Sequence, residues 1–357
     1  MKQALIAVLG AGALTAGLMA GGAATASAHD GHHRHKAPRT LQDAAARTGR
    51  DIGAATTVVH MGEAAYRATL DREFNQLTPE NEMKWETTEP APGQFDFAPA
   101  DELVRHAKKE RMRVHGHVLV WHSQLAPWVN EITDRDELLK VMRRHIAKVA
   151  GHYRGQLRSW DVVNEAFDDS PQAARRATIF QNVIGDEYLE EAFKAARKAD
   201  RKAELCYNDY NIDGINPKSD AVYAMVKDFK RRGVPIDCVG MQGHLILGQV
   251  PSDIRQNMER FARLGVNVYV TELDIRMPTP PTPEKLAAQA ADYTKVVSAC
   301  VAVRRCRGVT LWGVTDKYSW VPDFFPGEGA ALVFDENYAK KPAYFASLAA
   351  LKSGRRH

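Results

Sequence analysis

Trp160-Asp-Val-Val-Asn-Glu-Ala-Phe167 is the stretch from which the fold can be read. Leu157 to Val163 is short and largely apolar, with β-branched residues, and reads as a strand of the kind buried in a parallel sheet. Two polar residues, Asn164 and Glu165, stand where that strand ends. The pattern returns in Val266-Asn-Val-Tyr-Val-Thr-Glu-Leu-Asp274, a second predicted strand that delivers Glu272 and then Asp274 at its C-terminal end. Glycosidic bond cleavage needs two such carboxyl groups, one to protonate the leaving oxygen and one for the opposite side of the sugar. A lone surface glutamate carries no such meaning, so the remaining strand ends have to decide.

Working outward from these two strands, the same alternation covers the chain from Asp51 onward. Strands are predicted at 52–55, 74–78, 113–119, 157–163, 203–207, 236–241, 266–271 and 308–312. Helical patterns occupy 62–71, 98–110, 135–152, 187–199, 219–232, 252–264, 283–303 and 342–351. Eight strand-helix units without a linker or a shift in composition predict a closed (β/α)₈ barrel in a single domain. A doubly wound open sheet is the alternative, but no Gly-rich phosphate loop follows the first strand.

In such a barrel the active site gathers at the C-terminal ends of the strands. After the second strand, Thr78-Pro-Glu-Asn-Glu-Met-Lys-Trp85 brings Glu80, Asn81 and Lys84. After the third come His117, Trp121, His122 and Gln124; after the fifth, Asn208, Asp209, Tyr210 and Asn211. The sixth supplies Gln242 and His244, and the eighth leads to Trp312, Asp316, Lys317 and Trp320. Taken singly, a Trp is more often core, an Asn a turn residue and a His a satisfied polar group. Together they form a ring of amides, imidazoles and indoles around two glutamates. Sugars, with apolar ring faces and hydroxyl edges, call for that mixture. A metal centre is not expected, because His115 and His117 share a strand face while His122 falls in the following loop, without a ligand set.

The motifs at 78–85, 116–124, 160–167, 206–211, 239–245, 270–274 and 311–320 resemble, in order, those of the family-ten glycoside hydrolases, the endo-β-1,4-xylanases. The ending Pro326-Gly-Glu-Gly-Ala-Ala-Leu332 through Lys341-Pro-Ala-Tyr344 is similar too. The resemblance implies a retaining mechanism on xylan and xylooligosaccharides without a cofactor, with Glu165 as acid/base and Glu272 as nucleophile. It implies that Asn164 bonds the sugar 2-hydroxyl and that His244 and Asp274 lie near Glu272. Glu80, Asn81, Lys84, His117, Trp121, Gln124, Gln242, Trp312 and Trp320 would line the glycone side, with Asn208 and Tyr210 on the aglycone side. Two tryptophans near C5 would exclude the hydroxymethyl group that glucose has and xylose lacks.

The flanks and the composition bound the setting. Lys2, an apolar run from Ala4 to Ala24 and the small residues Ala26-Ser27-Ala28 read as a signal peptide over 1–28, in preference to a membrane anchor. The tract His29-Asp-Gly-His-His-Arg-His-Lys36 begins a leader over 29–39 to which no function is assigned, and the catalytic domain is placed at 40–357. A secreted chain that does not stay with the membrane and acts as a monomer is expected. Hydrophobic residues make up 45% of the sequence, enough for a sizeable core. The net charge of +4 is spread over helical stretches such as 194–202 and 227–232, which read as solvated faces and give nucleic-acid binding little support. Four cysteines in an exported chain point to two disulfides: Cys206 with Cys238 on neighbouring strands, and Cys300 with Cys306 closing a small loop. Four buried thiols would be the alternative; zinc-ligand spacing is absent.

Overall fold

The computed structural model describes residues 39–354. The predicted signal peptide and the leader up to residue 38 lie outside the described residues.

Eight parallel strands close into a barrel: β1 (Asp51–Thr56), β2 (Gln76–Pro79), β3 (Arg113–Gly116), β4 (Ser159–Asn164), β5 (Glu204–Asp209), β6 (Cys238–Met241), β7 (Asn267–Pro278) and β8 (Cys306–Leu311). Each pairs with its sequence neighbours, and the ring is completed where Asp51 faces Gly308 and Val268 faces Cys306. Every residue of β1 and β4 is buried, as strands enclosed on both faces must be. The helices between them begin on side-chain caps that the sequence supplies. Asp134 accepts from Glu137 N, Asn216 from Ser219 N and Thr282 from Lys285 N, each satisfying an otherwise orphaned donor. Both disulfides form as expected. Cys206 and Cys238 are register partners on β5 and β6, and Cys300 and Cys306 join the end of the helix Pro283–Ala302 to the start of β8.

Four differences from the sequence reading have physical causes. First, a helix precedes β1 at Leu41–Thr48, opened by Thr40 and closed by Gly49 at φ 72°. It packs on the last helix, Pro342–Ser353, where buried Glu73 accepts from Leu41 N and from the Tyr344 hydroxyl. Second, the helix before β2 runs through Glu73, so β2 starts at Gln76 and not at Phe74. Third, β3 ends at Gly116, and the chain continues through a cis peptide between His117 and Val118 before Leu119 and Val120 donate to β4 carbonyls. Gly116 is required there because a Cβ would lie 2.3 Å from the Trp160 ring. Fourth, β7 does not end near Glu272. It extends to Pro278 because a short strand, His244–Ile246, and the segment Glu328–Gly329 pair with its outer half. Glu272 therefore sits mid-strand, inside a register slip between Val270 and Leu273 against β8. A similar slip between Asp161 and Val163 precedes Glu165. Such irregularities re-aim side chains, and here each belongs to a strand that carries one of the glutamates.

Candidate active site

Glu165 occupies the residue just past β4 with φ 58°, a left-handed conformation uncommon for a non-glycine residue. Its surroundings hold it there. Its amide donates to Asn208 O on β5 (2.9 Å), Arg176 Nε donates to its carbonyl (3.0 Å), and the next amide, Ala166 N, donates to the Tyr207 hydroxyl (2.9 Å). Tyr207 in turn donates to buried Asp209, which pairs with Lys218 at 3.0 Å. Burial pushes Asp209 up to about 7 against the pull of Lys218. The bend that aims Glu165 is thus fixed by side chains from β5 and from the loop ending at Arg176.

The Glu165 carboxylate receives donors on both oxygens. Trp121 Nε1 donates to Oε2 at 2.9 Å, and Gln242 Nε2 and Asn164 Nδ2 donate to Oε1 at 2.9 and 3.2 Å. Glu272 is also held on both oxygens. Asn208 Nδ2 donates to Oε1 at 2.7 Å, and His244 Nε2 lies 3.0 Å from Oε2. The two carboxyl groups are linked through one buried amide chain, because Asn208 Nδ2 also donates to Asn164 Oδ1 at 3.0 Å. Thr271 Oγ1 orients that asparagine by donating to its Oδ1 (2.6 Å). Gly240 on β6 makes room for it, since a Cβ there would lie 2.2 Å from Asn208 Oδ1.

His244 sets the electrostatics of Glu272. Its Nδ1 lies 2.9 Å from Asp274 Oδ2, so each ring nitrogen faces a carboxylate and both must donate. Burial alone would discharge the ring, yet Asp274 and Glu272 outweigh it and the imidazolium persists up to about 10. Burial likewise opposes ionisation of Glu272, but His244 and nearby His117 hold its carboxyl below the usual range. Trp320 Nε1 fixes the far end of this relay by donating to Asp274 Oδ2 at 2.8 Å. Under the opposite wall, Asp161 Oδ2 accepts from His117 Nδ1 at 2.9 Å and lies 2.9 Å from His115 Nε2. Desolvation of Asp161 is overcome by these imidazoles, and its carboxyl is lowered to about 2. His115 on β3 and His117 just past its end are therefore both committed to one carboxylate.

The remaining expected residues form the rim. Lys84 donates to Asn81 Oδ1 (3.0 Å) and to Gln124 Oε1, and Gln124 Nε2 donates to Asn81 Oδ1 (3.1 Å) and Glu86 Oε1 (3.1 Å). Glu80 is beside this cluster; burial raises it and lowers Lys84, and each counters the shift of the other. Trp312 presents its edge to His117 at 5.4 Å between ring centroids, and Trp320 meets His244 at 5.0 Å. Tyr210 lies beyond Glu165, with its hydroxyl accepting from Arg176 at 2.7 Å and its ring 3.5 Å from Lys218 Nζ.

Two expectations need correction. Asn208, expected on the aglycone side, is fully buried against Glu272 and Asn164, with both ends of its amide engaged. Asp316 and Lys317 do not face the site, because Asp316 accepts from Lys341 (2.7 Å) and Leu332 N (2.7 Å), while Lys317 pairs with Glu63 (3.0 Å). Arg176, Tyr207, Lys218 and Asp161 were not singled out from the sequence. Asp161 alone carried a local signal, a charge inside an otherwise apolar strand.

Comparison with known proteins follows the same lines. A family model described as glycosyl hydrolase family 10 matches residues 40–350. An endo-1,4-beta-xylanase of Agaricus bisporus is 46% identical over 308 residues, covering 85% of this chain and 92% of its own. Among solved structures, native xylanase 10B from Thermotoga maritima superposes with a TM-score of 0.85 at 42% identity, covering 88% of this chain and 98% of that one. Xylanase 10B from Thermotoga petrophila RKU-1, in complex with xylobiose, gives 0.86 at 41% identity, covering 89% and 99%.

Proposed function

The chain belongs to glycosyl hydrolase family 10, and from that premise we propose that it is a secreted endo-1,4-β-xylanase, cleaving internal bonds of xylan with retention through a covalent glycosyl-enzyme. The observation that carries this reading is the unequal treatment of the two glutamates. Glu272 is clamped between an imidazolium and a buried amide donor, which favours the carboxylate needed for attack on the anomeric carbon. Among the described residues no cationic side chain bonds the Glu165 carboxyl group; its partners are neutral indole and amide donors, and we assign to it the transfer of the proton that the leaving oxygen must receive.

The steps then follow. Glu272 Oε attacks the anomeric carbon while Glu165 protonates the departing oxygen, and the glycosyl ester forms on Glu272. Glu165, now a base, takes a proton from water, which releases the sugar with its original configuration. Asn164 has one amide hydrogen left after its bond to Glu165, and we assign it to the sugar 2-hydroxyl. Trp312 and Trp320, whose rings both contact His244 edge-on, are assigned to crowd C5 and so to favour xylose units over glucose. His117, Glu80, Asn81, Lys84, Gln124 and Gln242 supply donors and acceptors to the glycone hydroxyls, and Tyr210 offers a platform past the cleavage point. Asn208 acts by positioning Glu272. The reading includes cleavage of the first 28 residues on export, a catalytic domain from residue 40 and a monomeric enzyme.

Time-resolved NMR of the purified protein with xylohexaose tests it. Internal cleavage with the β-anomer appearing first at the new reducing end is the expected result. An α-anomer first would overturn the assignment of Glu272 as nucleophile, and faster cleavage of cellohexaose would overturn the choice of xylan.

A further inference from the structure

The helix-to-strand loops bring together, at the N-terminal end of the barrel, basic residues that look scattered in the sequence. A cavity of about 380 Å³ opens there among the approaches to β5, β6, β7 and β8, on the face opposite the catalytic glutamates. Its cations are Arg197, Arg201, Lys202, Lys230 and Arg305. Its two acids are already committed: Asp237 to Arg197, and Glu204 to Arg158 (3.0 Å) and the Tyr269 hydroxyl (2.8 Å). Among the described residues, neither the Arg201 nor the Lys202 side chain has a hydrogen bond, ion pair or ring contact. A second cavity, of about 300 Å³, adjoins through the shared Arg305 and adds Arg263 and Arg304, also unpartnered and exposed. The one acid there, Glu259, is paired with Arg255.

Helix termini explain only part of this. Cations in the last turn are favoured by the helix dipole, which accounts for Arg197, Lys230 and Arg263. Arg201, Lys202, Arg304 and Arg305 lie beyond the last turns, in the loops themselves. The lining contains no aromatic residue, so it offers no platform for nucleobases or for the apolar faces of neutral sugars. Recognition on this face has to be by charge, and guanidinium groups match carboxylates in particular.

We infer that this groove binds an acidic glycan, a polysaccharide bearing uronate carboxylates, and so anchors the enzyme to charged matrix while the opposite face works on its substrate. The choice of a glycan rests on the reading of the chain as a polysaccharide hydrolase; the charge requirement does not.

Affinity electrophoresis of the purified protein through gels containing polygalacturonate, hydroxyethylcellulose or single-stranded DNA tests the inference. The groove predicts retardation by polygalacturonate that weakens with salt, and none by the neutral polymer. The variant R201E/K202E/R304E, altered only at exposed positions, should lose roughly tenfold in affinity, because each exposed pair is worth a few-fold. Absence of retardation, retardation unchanged in the variant, or tighter binding to DNA than to polygalacturonate would each overturn it. Xylohexaose hydrolysis, measured on the same samples, should be equal in both proteins. Its absence from the parent protein would fall on the proposed function and leave the polygalacturonate result to be read by itself.

Discussion

Replacing His244 by glutamine probes the most heavily charged contact in the site. The imidazolium lies 3.0 Å from Glu272 and 2.9 Å from Asp274, and its persistence from 6.5 up to about 10 corresponds to roughly 5 kcal/mol. Shared between two carboxylates, that is about 2.5 kcal/mol each. Removing one partner of a buried ion pair costs about 3–5 kcal/mol in general, the same order. Glutamine keeps one donor but no charge, so Glu272 should become harder to ionise. The acid limb of kcat/KM on xylohexaose should move to higher pH, with the loss of activity at pH 5 much larger than at pH 8. The sign for stability is also set. His244 has its folded value raised, so its contribution is complete below 6.5 and disappears as pH rises through about 10. H244Q should therefore show its largest loss of Tm relative to the parent on the acid side of that window and converge with it in strong alkali. An acid limb that stays in place in a folded H244Q protein would refute the role given to this charge.

Other substitutions examine separate parts of the argument. Glu272→Ala should reduce xylan hydrolysis by roughly 10⁴-fold or more, and azide should restore turnover as a glycosyl azide of inverted configuration; retained hydrolysis would remove Glu272 from the nucleophile role. Gly240→Ala places a Cβ 2.2 Å from Asn208 Oδ1, which should disturb the amide under Glu272 and lower kcat by roughly tenfold with little change in KM. Asp161 is lowered from 3.8 to about 2, so its contribution is complete above 3.8 and is lost as pH falls through 2. Asp161→Asn should accordingly destabilise the protein at pH 6 by about 2 kcal/mol, and the difference from the parent should vanish in strong acid. Opening the Cys206–Cys238 bridge by a double serine substitution should lower stability by about 4 kcal/mol, against about 2 for Cys300–Cys306, in denaturant titrations.

The alternation of strands and helices and the position of Glu165 are local properties, and local periodicity reveals them. Trp160, Val162 and Val163 mark a buried strand although Ser159 and Asp161 interrupt it, and the charge that follows it sits at a boundary. The disulfide pairs are legible too: parallel neighbouring strands bring Cys206 to Cys238, and a separation of six residues lets Cys300 and Cys306 close a small loop. The helix Leu41–Thr48 is not legible from its pattern, although it has a cap at Thr40 and a stop at Gly49, because a single two-turn helix has little periodicity of its own.

Sequence alone thus gives the order of the strands and the polar side chains that accompany each of them. What those side chains do to one another depends on the closed barrel. The extension of β7 past Glu272 depends on partners more than twenty residues away, and the burial of Asn208 depends on the space left by Gly240 on the next strand. The charge of His244 exists only because two carboxylates converge on it in low dielectric, and the basic groove exists only because four helix-to-strand loops meet at one end of a closed ring. Closure and register bring distant residues within 3 Å, and at that distance Coulomb and hydrogen-bond energies outweigh any preference a residue has alone.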